Sequence, residues 1–115
     1  MSDVVICAVA RTPVGRYRGS LSNRSAVELG IHAVKGLLTR ANIDPESGII
    51  DEVLFGQVLQ AGAGQSPARQ VALGAGMPNS TPATTINKVC GSSLKAVMMA
   101  ANSIRAGEYN VIVAG

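Results

Sequence analysis

Cys90 is the residue of this sequence whose type and surroundings point most directly to chemistry. It lies within TTINKVCGSSLKAV, residues 84–97, where a β-branched run meets small residues that begin a predicted helix. A helix N-terminus carries a partial positive charge and free N–H groups. These groups favour the thiolate form of a cysteine and can hold the oxyanion formed when a carbonyl is attacked. The stretch therefore predicts a nucleophilic cysteine at a strand-to-helix turn.

A structural role for Cys90 stays open at this point, because a free cysteine is commonly a small buried hydrophobe. Cys7, in the middle of an apolar run, is predicted to be a core residue. His32 is the single histidine and lies in a predicted helix without a motif, so we reject it as a catalytic base. Asn87 and Lys88 could support Cys90 or could simply be outward-facing strand residues. The sequence thus offers a nucleophile without an evident base.

Other chemistries find little support in the sequence. GAGQSP, residues 62–67, has Pro67 in place of the third glycine of a dinucleotide-binding motif, and we interpret it as a loop leading into a helix. The two cysteines have neither metal-ligand nor disulfide spacing, which predicts no metal site and a reducing compartment, the cytoplasm. A net charge of +3 with 3% aromatic residues argues against nucleic-acid binding. No signal peptide is predicted, because the N-terminal apolar run is short and has no basic region before it, and no apolar run approaches about 18 residues.

The elements that must position Cys90 alternate between strands and helices. Residues 3–10 form a β-branched run that predicts a strand buried on both faces, and residues 11–23 predict a loop. Ser25 and Glu28 form a capping-box pattern at the start of a helix. Its apolar stripe consists of Val27, Ile31, Val34, Leu38 and Ala41. Asn42 and the Asp44-Pro45 pair are expected to end this helix.

The second half of the chain continues the alternation. Residues 51–59 predict a strand, and Ser66-Pro67 begins a helix that ends at about Gly74 or Gly76. Residues 83–89 predict the next strand, residues 91–106 a helix stopped by Gly107, and residues 110–115 a last strand. The residues of that helix expected to face inward are Leu94, Val97, Met98, Ala101 and Ile104. The order predicts an α/β fold with helices on the faces of a sheet.

Several separated stretches of the chain resemble the thiolases. They are RTPVGRYRGSLS, EVLFGQVLQAGAGQSPARQVAL and PATTINKVCGSSLKAV, which follow one another in the order of the family and extend the resemblance over essentially all 115 residues. The sequence is most similar to the acetyl-CoA acetyltransferase (acetoacetyl-CoA thiolase) branch. The resemblance implies a thiolase-like mixed sheet with helices on both faces, of which this chain would be an incomplete N-terminal half.

The resemblance also implies a mechanism. Cys90 would take an acetyl group from acetyl-CoA as a thioester, with its own N–H as an oxyanion donor, and a second acetyl-CoA would attack to give acetoacetyl-CoA. The reverse reaction is thiolysis. No cofactor or metal is implied, since coenzyme A thioesters are the substrates. Family members are homodimers or homotetramers, so TTINKV is expected near a subunit contact, and neither nucleic acid nor a membrane is an expected partner.

The resemblance finally implies how much of an enzyme this chain contains. A complete thiolase has about three times this length, so residues 1–115 are expected to be a thiolase N-terminal domain truncated before the loop domain and the C-terminal half. The catalytic histidine and second cysteine of the family lie in that later half, so this chain alone is expected to be inactive. Two alternatives stay open: a longer-chain 3-ketoacyl-CoA thiolase of fatty-acid β-oxidation, and a non-catalytic thiolase-core module that binds a partner.

Overall fold

The structure is a computed structural model and describes residues 3–115. Three helices and three strands alternate along these residues. The helices are α1 (Ala26–Ala41), α2 (Pro67–Gly74) and α3 (Ser92–Arg105), with a 3₁₀ turn at Pro45–Ser47. The strands are β1 (Glu52–Gly56), β2 (Ala83–Ile86) and β3 (Ile112–Ala114). None of these helices is long and apolar enough to cross a membrane.

The strands form one parallel sheet in the order β2-β1-β3. The connection from β1 to β2 runs one way across the sheet, and the connection from β2 to β3 returns past β1. Because parallel crossovers are almost always right-handed, a reversal of direction puts the two connecting helices on opposite faces. The core agrees: Val53 packs in a cluster with Val71 of α2, whereas Leu54 packs with Ala96 and Ala100 of α3. The prediction of an α/β fold with helices on both faces is confirmed.

The predicted start and end of α1 are also confirmed. The Ser25 hydroxyl accepts from the Glu28 N–H at 3.1 Å, and the Glu28 carboxylate accepts from the Ser25 N–H at 2.7 Å. That backbone hydrogen bond from Ser25 lowers the pKa of Glu28. Asn42 ends the helix in the left-handed conformation, with φ of 55°. The buried residues of α1, Val34 and Leu38, belong to the predicted stripe.

The prediction of a buried strand at residues 3–10 is wrong for this chain. The segment pairs with no strand among residues 3–115, and Ile6 is 76% exposed. Cys7 is likewise exposed rather than a core residue. Within residues 3–115, the one hydrogen bond between the segment 3–10 and another element is donated by the Arg40 guanidinium to the Val9 carbonyl at 2.6 Å. An apolar run can indicate that a segment would favour burial, but a strand also needs a neighbour for its backbone.

The predicted inward face of α3 is wrong as well. Leu94 is 67% exposed, and Val97 and Met98 are exposed too, while Ala101 and Ile104 are only half-buried. The buried residues are small instead: Ser92, Ala96 and Ala100. The reason is the close approach of α3 to β1, where a Cβ atom added at Gly56 would lie 2.6 Å from the Ser92 backbone. Only small side chains fit between a helix and a strand at that distance.

Candidate active site

The carboxyl ends of β1 and β2 mark the place in this sheet where a site is expected. The chain leaves β1 towards α2 on one face and leaves β2 towards α3 on the other, so the two connections diverge. Such a topological switch point opens a crevice, and ligands of open α/β sheets bind there. Two segments line it: the loop 57–66 after β1 and the turn 87–91 after β2. Cys90 lies in the second of them.

The turn that carries Cys90 contains an unusual backbone conformation. Val89 has φ of +50°, in the left-handed region that β-branched residues avoid. Such a residue costs about 1–3 kcal/mol and persists only where its surroundings hold it. Here the Asn87 side-chain oxygen accepts from the Val89 N–H at 3.0 Å. The Ser92 hydroxyl donates to the Val89 carbonyl at 2.6 Å and accepts from the Lys88 N–H at 2.9 Å.

Helix α3 begins at Ser92, two residues after Cys90. Gly91 is its N-cap residue, which brings no side chain to cap the first N–H groups, and the first turn holds no acidic residue. The side chain of Cys90 is exposed, and its N–H makes no hydrogen bond to any group of residues 3–115. A thiol and a free N–H thus stand together at the positive end of a helix dipole. That arrangement suits attack of the thiol on a carbonyl, because the N–H can stabilise the oxyanion that forms.

The loop 57–66 forms the facing side of the crevice. Asn87 donates through its side-chain amide to the Val58 carbonyl at 3.4 Å and so joins the two segments. Gln70 braces the loop by donating to the carbonyls of Ala63 and Gln65 at 2.8 Å and 3.0 Å. Gly62 and Gly64 adopt positive φ of 77° and 83°. The interpretation of GAGQSP as a glycine loop leading into a helix is confirmed, with Pro67 at the first position of α2.

A groove of about 500 Å³ lies across the carboxyl ends of β1 and β3. Its lining includes Phe55 and Gly56 from β1, Gln57 from the loop 57–66, Ser93 from α3 and Leu29 from α1. Ser93 belongs to the first turn of α3, so the groove reaches the helix end at which Cys90 stands.

The remaining chemically capable residues lie elsewhere. His32 is exposed on α1, which packs against α2 on the face of the sheet opposite α3. Among residues 3–115, no three His, Cys, Asp or Glu side chains lie together as a metal site would require. The sequence pointed to Cys90 and left Asn87 undecided, but it missed Ser92 and the strained Val89. Ser92 could have been noticed as a hydroxyl next to the predicted helix start.

Residues 4–115 match the sequence model of a known family, described as "Thiolase, N-terminal domain". The chain belongs to the thiolase family. It is 56% identical over 115 residues to the acetyl-CoA acetyltransferase of Cupriavidus necator, covering all of this chain and 29% of that protein. Acetyl-CoA acetyltransferase 2 of Arabidopsis thaliana is 57% identical over 113 residues, 98% of this chain and 28% of the relative.

A solved thiolase has the same fold. The structure of the Acat5 thiolase from Ascaris suum in complex with coenzyme A superimposes with a TM-score of 0.93 at 42% identity. The match covers 98% of this chain and 29% of the Ascaris chain. This thiolase chain therefore spans less than a third of the length of the relatives it matches.

Proposed function

We propose that this chain supplies the nucleophilic cysteine of an acetyl-CoA acetyltransferase, a thiolase that forms or cleaves acetoacetyl-CoA. The observation that carries the proposal is the position of Cys90, with an exposed thiol and a free N–H at the uncapped start of α3. The high identity to proteins named acetyl-CoA acetyltransferase supports the same reaction. Coenzyme A thioesters are then the substrates, as the coenzyme A complex of the Ascaris thiolase also suggests.

The proposed reaction has two halves. In the first, the Cys90 thiolate attacks the thioester carbon of acetyl-CoA, a new S–C bond forms, and the bond to the coenzyme A sulfur breaks. The coenzyme A thiolate leaves and takes up a proton, and the Cys90 N–H stabilises the oxyanion between these events. In the second, acetyl-CoA that has lost a methyl proton attacks the acetyl-cysteine. A C–C bond forms, and the Cys90 thiolate leaves.

The base that removes the methyl proton is assigned to no residue of this chain, since His32 stands on the far face of the sheet. We therefore expect condensation to need groups beyond residues 3–115, and acetylation of Cys90 to be the step that this chain can report on directly. The proposed enzyme works in the cytoplasm as a homodimer or homotetramer. Within residues 3–115, β2 is an edge strand that pairs only with β1, which fits a subunit contact there.

The test is the mass of the protein, expressed from its complete reading frame, before and after incubation with acetyl-CoA. We expect a gain of about 42 Da that peptide mapping places on Cys90, as covalent catalysis requires. The Cys90→Ser variant should gain nothing. Cys7→Ser is the matched control, because Cys7 is also an exposed free thiol, and it should be acetylated as fully as the unmodified protein.

Three outcomes would contradict the proposal. Acetylation of Cys7 to the same extent as Cys90 would indicate thiol chemistry without a site. No acetylation of a protein whose circular dichroism shows a folded state would favour the non-catalytic module. Preference for a longer 3-ketoacyl-CoA over acetoacetyl-CoA in thiolysis would instead assign the chain to a longer-chain thiolase.

A further inference from the structure

We propose that Asn87 is a positioning residue, which fixes Cys90 by holding Val89 in its left-handed conformation. The inference rests on the proposed role of Cys90 and extends it to a residue that does not itself react. It starts from the strain: Val89 has φ of +50° although it is β-branched and exposed, so no packing of its own side chain holds it there. Something else in the turn must do so.

Asn87 holds the turn from two directions. Its side-chain oxygen accepts from the Val89 N–H at 3.0 Å, the bond of an Asx turn. Its amide nitrogen donates to the Val58 carbonyl at 3.4 Å, across the crevice in the loop that follows β1. One side chain therefore ties the strained residue to the opposite wall. An asparagine suits this place because it carries an acceptor and a donor without a charge that would oppose a neighbouring thiolate.

Ser92 is the second restraint on the same residue, but it is harder to test. Its hydroxyl binds the Val89 carbonyl and the Lys88 N–H. It is also buried at the closest approach of α3 to β1, against Gly56. A change at Ser92 would disturb the fold together with the turn. Asn87 is exposed, so its removal alters the turn while leaving the core in place.

The consequence for Cys90 follows from the chain. A change of φ at Val89 rotates the Val89–Cys90 peptide, which contains the Cys90 N–H, and redirects the thiol that follows. Both groups that act on the acyl carbon would then move together. Because Asn87 has no expected contact with the acyl group, its loss should lower the rate of acetylation without changing the half-saturating concentration of acetyl-CoA.

The experiment measures the first-order rate of Cys90 acetylation against acetyl-CoA concentration, in the protein expressed from its complete reading frame. Asn87→Ala should lower the maximal rate about 10- to 100-fold, the range expected for a misplaced reacting group. Asn87→Ser keeps an uncharged acceptor and should recover part of the loss. Asn102→Ala, which removes an exposed asparagine from α3, is the matched control and should keep the original rate.

The decisive variant adds Val89→Asn to Asn87→Ala. Asparagine adopts the left-handed conformation more readily than valine. The double variant should therefore recover the original rate to within about threefold. A normal rate in Asn87→Ala would overturn the inference. So would a slow variant that Val89→Asn does not rescue, since Asn87 would then be merely structural. Failure of the unmodified protein to be acetylated would instead remove the proposed function itself, and the inference with it.

Discussion

On the α2 face of the sheet large aliphatic side chains fill the core, whereas on the α3 face the buried residues of the helix are small. Val34, Leu38 and Val71 pack with Val53 on the first face, and α1 covers α2 from outside. On the second face Leu54 meets Ala96 and Ala100, and among residues 3–115 no further layer covers α3. Of the large residues of α3, Leu94, Val97 and Met98 are exposed, whereas Met99 packs against this cluster.

This difference separates the two tasks of the domain. Burial of large aliphatic side chains contributes most of the favourable free energy of folding, so the α2 face is where stability is expected to reside. Small residues on the α3 face allow the helix to lie close to β1, with Ser92 against Gly56. That contact fixes the N-terminal end of α3, where Cys90 stands. The face with less buried apolar surface is therefore the one that positions the candidate active site.

The same substitution on the two faces should show the largest contrast. Leu38→Ala removes a buried side chain of α1 and should lower the free energy of unfolding by about 2–5 kcal/mol. Leu94→Ala, on the exposed side of α3, should change it by no more than about 0.5 kcal/mol. Urea denaturation of the 115-residue protein measures both. Equal losses would break the comparison, because Leu94 would then have to be covered by another surface, such as a second copy of the chain.

The close approach of α3 to β1 predicts the next largest effect. Gly56→Ala places a Cβ atom 2.6 Å from the Ser92 backbone, which must shift, and should cost about 1–3 kcal/mol. Gly36→Ala is the matched control, since a Cβ atom there meets nothing within 4 Å in the middle of α1. It should stabilise the protein by about 0.5–1 kcal/mol through helix propensity. Thermal denaturation followed by circular dichroism measures both changes. A neutral Gly56→Ala would mean that α3 is not held tightly against the sheet.

The features that the sequence predicted well are local ones. Ser25 and Glu28 lie three residues apart, and Ser66-Pro67 starts α2 with neighbouring residues, so both helix starts could be recognised from spacing alone. The prediction of a buried strand at residues 3–10 failed because a strand needs a second strand to accept and donate its backbone hydrogen bonds. The prediction of the inward face of α3 failed because Leu94, Val97 and Met98 of its apolar stripe are exposed, and the distance to β1 decides which residues are buried.

The candidate site divides in the same way. Cys90 could be placed at a strand-to-helix turn because the β-branched run and the small residues after it are consecutive. The left-handed conformation of Val89 could not be predicted from the sequence. Valine has no preference for that conformation, and the restraints come from Asn87 and Ser92 on either side. Conformations that oppose a residue's own preference are visible only when the groups that impose them are in place.

The starts of α1 and α3 give a third contrast between the faces. Ser25→Ala removes the side-chain oxygen that caps α1 and should lower the free energy of unfolding by about 1 kcal/mol. Gly91→Ala at the start of α3 removes no side-chain cap, its φ of −94° is open to alanine, and the added Cβ atom meets only the Lys88 carbonyl oxygen at 3.6 Å. It should therefore change the free energy of unfolding by no more than about 0.5 kcal/mol. Chemical denaturation distinguishes the two. A large loss in Gly91→Ala would show that the start of α3 depends on glycine for stability.

The smallest expected effect concerns Glu52, the first residue of β1, at the end of that strand away from Cys90. Burial, together with the charge of Glu108, raises the pKa of Glu52. A carboxyl with a raised pKa in the folded state costs stability when it is ionised, so this cost is present at pH 7 and disappears as the pH falls through the raised pKa towards the ordinary value of 4.5. Glu52→Gln should therefore raise the free energy of unfolding at pH 7 by no more than about 0.5 kcal/mol, because solvent screens a group this exposed. Denaturation curves at pH 7 and pH 4 should show the gain at the first and its absence at the second. An equal gain at both pH values would mean that packing of the amide, rather than relief of the buried charge, accounts for it.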